Sequence, residues 1–238
     1  VRSLIVFLGF FFCCYVSAAV TVYPIEVNIG KGGASKIQII SQSNKVSFVK
    51  VIQKKIINAG TPQEKEVSVT APDESGLIVT PIKLAITPGA TRVARLLTLN
   101  PPAKESTWRV YFEEVSADDY NSEENLENHK KTDANVGVNI VWGALVHVLP
   151  QNQTASLELD DRTVEFINTG TVRIPILEIG ECSSKDNCVW KKAGSTIYPD
   201  MRVRIRSFTY HPNHTYKVKY KNVVNGKTEE IPLALRAG

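Results

Sequence analysis

The chain is poor in the residues that carry chemistry. Among 238 residues there are four cysteines, four histidines, three tryptophans and a single methionine, Met201. There is no Gly-x-Ser-x-Gly elbow, phosphate-binding loop, dinucleotide fingerprint or His-Glu-x-x-His pair. Glu113 and Glu114 are neighbours on an extended segment, so they point to opposite faces and cannot work as a paired acid and base. No catalytic site is expected. Charge of one sign is also lacking: 28 Lys and Arg stand against 24 Asp and Glu, too even a balance for a nucleic-acid binder. After the N-terminal segment no apolar run is long enough to cross a bilayer, so no stable membrane insertion is expected.

The N-terminal segment has the pattern of a secretory leader. Arg2 gives a positive start, residues 4–16 are almost wholly apolar, and Ser17-Ala18-Ala19 supplies small residues for cleavage. Residues 1–19 are read as the leader. Phe12 before Cys13 does not fit a lipoprotein signal, so Cys13 and Cys14 belong to the removed part. The remaining cysteines, Cys182 and Cys188, read as a local disulfide in an oxidising compartment. A zinc site built from them with His211 and His214 matches no usual ligand spacing. No metal or other cofactor is therefore expected. The sequons at Asn152 and Asn213 are taken as chance.

The rest is strand after strand. Apolar alternation covers residues 21–29, 34–41, 46–57, 67–70, 77–80, 90–99 and 107–115, with Gly and Pro between them. A second set covers 155–159, 163–168, 173–182, 202–210, 216–220 and 231–235. Pro150 and the polar run after it mark a boundary. The expectation is an all-β protein of two sandwiches, residues 20–150 and 151–238.

Residues 134–150, ANVGVNIVWGALVHVLP, are the most informative. Val136, Val138, Ile140, Trp142 and Ala144 share one face of a long strand. Residues 117–133 precede it, an acidic stretch with few apolar side chains and no evident turn chemistry. An apolar row of this kind either lines its own core or adds to another protein's sheet. Likewise, Arg202, Arg204 and Arg206 and the trio Lys217, Lys219 and Lys221 form alternating basic rows. Each is either the solvated face of a sheet or a docking surface for an acidic partner.

One resemblance ties these features together. GLIVTPIKLAITPGATRVARL, residues 76–96, resembles a signature of the periplasmic pilus chaperones of the chaperone–usher pathway. WRVYFEEV, the polar loop and the alternating strand ending in Leu149-Pro150 fall where that family has its F strand, loop and G strand. YPIEV, VIQKKIINAGT and the Cys182/Cys188 loop are most similar to the alternate branch serving class 5, or alpha-type, fimbriae.

The resemblance implies two immunoglobulin-like sandwiches in a boomerang. It implies a periplasmic protein that holds fimbrial (pilin) subunits by lending them a strand, and passes them to an outer-membrane usher without ATP. By that carry-over Val136, Val138 and Ile140 would insert into the client, with Trp142 flanking them. The family's carboxylate-gripping Arg and Lys align here with Glu26 and Leu145. Its interdomain Arg aligns with Leu149, whereas its acidic partner is matched by Glu105. Arg109 and His147 are the substitute cleft contacts. The competing readings are an exported structural or adhesive sandwich, pilin or lectin-like, and a secreted enzyme. A pilin would carry its donor row at its N-terminus, and a lectin would cluster aromatic or acidic ligands on its loops.

Overall fold

The computed structural model describes residues 19–69, 76–122, 140–184 and 187–236. The expected leader up to Ser17-Ala18, Val136, Val138 and most of the acidic stretch lie outside the described residues.

The first half opens with β1 (Val20–Tyr23) and β2 (Glu26–Ile29), then β3 (Ala34–Ser41), β4 (Ser47–Ile57), β5 (Lys65–Ser68), β6 (Ile78–Thr80), β7 (Lys83–Ile86), β8 (Thr91–Leu97) and β9 (Ser106–Val115). A short helix, α1 (Ala117–Asn121), follows, and β10 (Val141–Val148) ends this half. One sheet runs β1-β3-β8-β6; the other runs β2-β10-β9-β4-β5, with β7 also on β4. Between them lies one core. Its rows obey the period of two expected of half-buried strands: Ile37 and Ile39, Val49 and Val51, Trp108, Val110 and Phe112, Ala144, Val146 and Val148.

The second half contains β11 (Leu157–Asp160), β12 (Glu165–Asn168), β13 (Ile174–Ser184), β14 (Asn187–Ile197), β15 (Arg202–Val203), β16 (Thr215–Lys221) and β17 (Thr228–Leu235). Their order is β14-β13-β16-β17-β11-β12-β15. The strand β17 joins two layers: Thr228 to Leu233 pairs with β16, and Ala234 and Leu235 pair with β11. Leu157, Leu159 and Phe166 thereby pack with Ile174, Ile176, Val218 and Tyr220 in a second core.

Four expectations are corrected. Residues 21–29 are not one strand. The chain leaves the first sheet at Tyr23 and enters the second at Glu26, so β1 pairs with β3 while β2 runs parallel to β10. Residues 202–210 are not one strand either: after Val203 the chain turns, and Phe208 N–H donates to the Ile205 carbonyl. Arg202, Arg204 and Arg206 are exposed but do not share a strand. The acidic stretch begins with fixed structure. Ser116 caps α1 by accepting from Asp119 N–H, Tyr120 packs 4.9 Å from the Phe48 ring, and Lys83 Nζ donates to the Tyr120 and Ser122 carbonyls at 2.7 and 3.0 Å. Finally, no strand is expected where β14 runs.

Candidate functional site

The strand β10 carries two different surfaces. On one face Ala144, Val146 and Val148 are fully buried in the core. Going backwards along the same row the cover thins: Trp142 is partly buried, its indole N–H donating to the Val20 carbonyl at 2.8 Å, and Ile140 is 37% exposed. The row of apolar side chains therefore runs off the end of its own core. That hydrogen bond fastens Trp142 to the home sandwich.

The other face of β10 meets the second half of the molecule. Leu145 stands beside Glu26 across the parallel β10–β2 pair, as the aligned positions require. His147 is fully buried. Its Nδ1 lies 3.0 Å from Glu105 Oε1, and its Nε2 lies 3.5 Å from Glu26 Oε1. His147 is thus not a cleft contact open to a partner; it is a member of a buried polar cluster at the junction.

The centre of that cluster is Arg173, from the turn leading into β13. Its Nη1 donates to Glu105 Oε1 at 2.7 Å and its backbone N–H to Glu105 Oε2 at 2.8 Å. Its Nη2 reaches Asn28 Oδ1 at 2.9 Å and Glu26 Oε1 at 3.1 Å. Glu105 N–H in turn donates to the Thr171 carbonyl at 2.8 Å. Glu105 is legible through the resemblance; its cation is not, because the guanidinium comes from the other sandwich. One signal was available: Arg173 is the lone charge in TVRIPIL.

The electrostatics follow from this packing. Contact with His147, opposed by partial burial and reinforced by the charge of Arg173, holds the Glu26 carboxyl down to about 2. Burial pushes Glu105 up, but the His147 hydrogen bond and the Arg173 charge outweigh it, and its net shift is downward.

Beside the cluster is a cleft of about 650 Å³ between the two sandwiches, lined by Glu26, Leu145, Arg173, Tyr198 and Lys221 among others. Arg109 lies on the next strand, opposite Leu145. It is not a free cation: its Nε is 2.9 Å from Glu66 Oε1, and Tyr111 OH donates to the same carboxylate at 2.7–2.8 Å. Burial first, then the Glu66 hydrogen bond, raises the Tyr111 hydroxyl to about 12.

The basic rows are partly neutralised at home. Lys219 Nζ sits 3.9 Å above the Trp190 ring and 3.6 Å from Glu178. Arg202 pairs with Asp160 at 3.5 Å, and Arg204 donates to the Thr163 carbonyl. Lys221 ends the Lys217–Lys219 row on β16 and also lines the cleft. Cys182 and Cys188 form a disulfide across the β13–β14 hairpin.

Comparison with known proteins gives the same picture. No protein-family model matches the sequence. The chain is 36% identical to a CFA/I fimbrial subunit of Escherichia coli over 185 residues, which is 75% of this chain and 76% of that protein. The crystal structure of the class 5 fimbriae chaperone CfaA superimposes with a TM-score of 0.74 at 29% identity, covering 90% of this chain and 99% of that one. A chain of the chaperone–tip adhesin complex of CFA/I fimbriae biogenesis does so with a TM-score of 0.73 at 28% identity, covering 91% and 99%. Two β-sandwiches joined by a buried polar cluster, with an apolar row leaving one of them, place this protein among the pilus chaperones of the chaperone–usher pathway. Within that group the chain belongs to the class 5 fimbrial chaperone family.

Proposed function

We propose that this protein holds fimbrial subunits in the periplasm by lending them the strand that enters β10, and delivers them to an outer-membrane usher without nucleotide. The observation that carries this reading is the row Val148, Val146, Ala144, Trp142, Ile140. It is sealed at one end and uncovered at the other. Upstream, Val138 and Val136 continue its parity, although both lie outside the described residues. An incomplete sandwich exposes an unpaired edge and an apolar slot. A borrowed strand answers both needs, the edge by main-chain hydrogen bonds and the slot by alternate side chains. Burying Val136, Val138 and Ile140 contributes about 1.5–3 kcal/mol each before the cost of ordering.

Residues 20–150 are taken as the donor domain and 151–238 as the second sandwich. The leader would direct the chain through the inner membrane. Support for a fimbrial client comes from the similar chaperone–tip adhesin complex. The adhesive or structural alternative fits less well. The described N-terminal strand β1 is already paired with β3, from Val20 opposite Ser41 to Tyr23 opposite Gln38, so it is not a spare donor. Co-export with a candidate class 5 pilin tests the proposal. A soluble one-to-one complex should survive purification without added nucleotide; failure to recover any such complex while the pilin is degraded would contradict it.

A further inference from the structure

The geometry points to a divalent-metal site of the zinc class formed by Glu181, His211 and His214, on the second sandwich and independent of the chaperone reading. The sequence His211-Pro212-Asn213-His214 makes a tight turn: His214 N–H points at the His211 carbonyl at 3.4 Å, and Asn213 has φ 75°. Proline at the second position and a left-handed residue at the third suit a type II turn, which brings its first and fourth residues together. The two imidazole rings are 6.0 Å apart. The turn is pinned from below by Tyr216, whose hydroxyl accepts from His211 N–H at 2.7 Å and donates to the His211 carbonyl at 3.2 Å.

The carboxylate comes from a different element. Glu181 stands on β13 between Val189 of β14 and Tyr216 of β16, next to the disulfide at Cys182. Its Oε1 lies 2.6 Å from His211 Nδ1 and 3.6 Å from His214 Nδ1, and the three donor atoms are all within 4.8 Å of one another. Tetrahedral zinc with bonds of about 2.0–2.1 Å keeps its ligand atoms about 3.4 Å apart. The Glu181–His214 pair is already near that spacing, and the Glu181–His211 pair needs to open by less than about 1 Å. A simple ion pair would use one imidazole. Here two present the same nitrogen to one oxygen.

Two imidazoles and a carboxylate suit zinc, copper or nickel better than calcium or magnesium. Three protein ligands leave a fourth position for water or a partner's side chain. One charge opposes a cation: Lys191 Nζ is 3.8 Å from Glu181 Oε2. It approaches the oxygen away from the histidines, and its side chain, 59% exposed, can swing into solvent.

The test is calorimetric titration of the disulfide-intact protein with zinc chloride, with calcium chloride as control. It is repeated for His214→Ala, Glu181→Gln and, as a control on the first sandwich, Glu114→Gln, each checked for folding by its melting curve. One saturable equivalent of zinc is expected. Affinity should fall at least about tenfold in His214→Ala and Glu181→Gln and be unchanged in Glu114→Gln. Cobalt(II) added in place of zinc should give visible absorption that His214→Ala abolishes. No saturable zinc binding, or binding that survives both His214→Ala and Glu181→Gln, would overturn the assignment. So would loss of binding in Glu114→Gln.

Discussion

Arg173 shows how much one side chain can carry. It satisfies Glu105 twice and reaches Glu26 and Asn28, all four groups lying at the seam of the two sandwiches. Removing one partner from a buried ion pair leaves the other uncompensated, which costs about 3–5 kcal/mol. Arg173→Ala should therefore lower the stability read from urea unfolding by an amount in that range, whereas Lys104→Ala, at the exposed Lys104–Asp200 pair, should change it by less than about 1 kcal/mol. Equal effects would show that the cluster is not what joins the halves. The same carboxyls set an acid limit. Both titrate below their ordinary value of 4.5 when folded. Their stabilisation is thus present above that pH and is lost as pH falls from there toward about 2. Melting temperature should drop through this window, and Glu105→Gln should start lower but fall less steeply. A parallel fall in both proteins would assign acid sensitivity elsewhere. Glu105 is legible through the resemblance, whereas for Arg173, 68 positions away, the sequence marks only a lone charge in an apolar run and not the partner on another sheet.

At the scale of elements, the strands that were legible are those with one face in a core. Period-two alternation marked β3, β4, β9 and β10 because one row of each lines the core: Ile37 and Ile39, Val49 and Val51, Trp108, Val110 and Phe112, Ala144, Val146 and Val148. The short β7, set between Pro81 and Pro88 where the resemblance implies an apolar strand, pairs with the first part of β4. One strand escaped. β14 carries Lys191, Lys192 and Gly194 and buries only Ile197, so its pattern gives no apolar row. It exists because β13 offers it an edge and the disulfide ties its start. That tie closes a short loop, for which the chain-entropy model gives about 2 kcal/mol. Neither Cys182 nor Cys188 should react with a thiol reagent before reduction. After reduction the loss should be about that size and confined to the hairpin in amide exchange. Labelling without reductant, or global unfolding on reduction, would contradict this. The change of sheet between β1 and β2 was also hidden, since a run of β-branched residues reads the same whether or not it crosses from one layer to the other.

At the scale of the molecule, the two sandwiches do different work. The second is braced against the first through Arg173 and closes a cleft along Glu26 and Leu145. The first completes its own core with the far end of β10 and leaves the near end uncovered at Ile140. On the proposed function the same row that stabilises the chaperone would supply what a client lacks, so the client's groove would extend the chaperone's core instead of forming a separate site. The measurement that tests this most directly is recovery of a co-exported pilin with Ile140→Asp, alongside the melting curve of the free variant. The account predicts that the complex is lost while the free protein melts as the wild type does, since Ile140 lies beyond the closed core. An undiminished complex would contradict it, as would a variant that loses its partner only because it no longer folds.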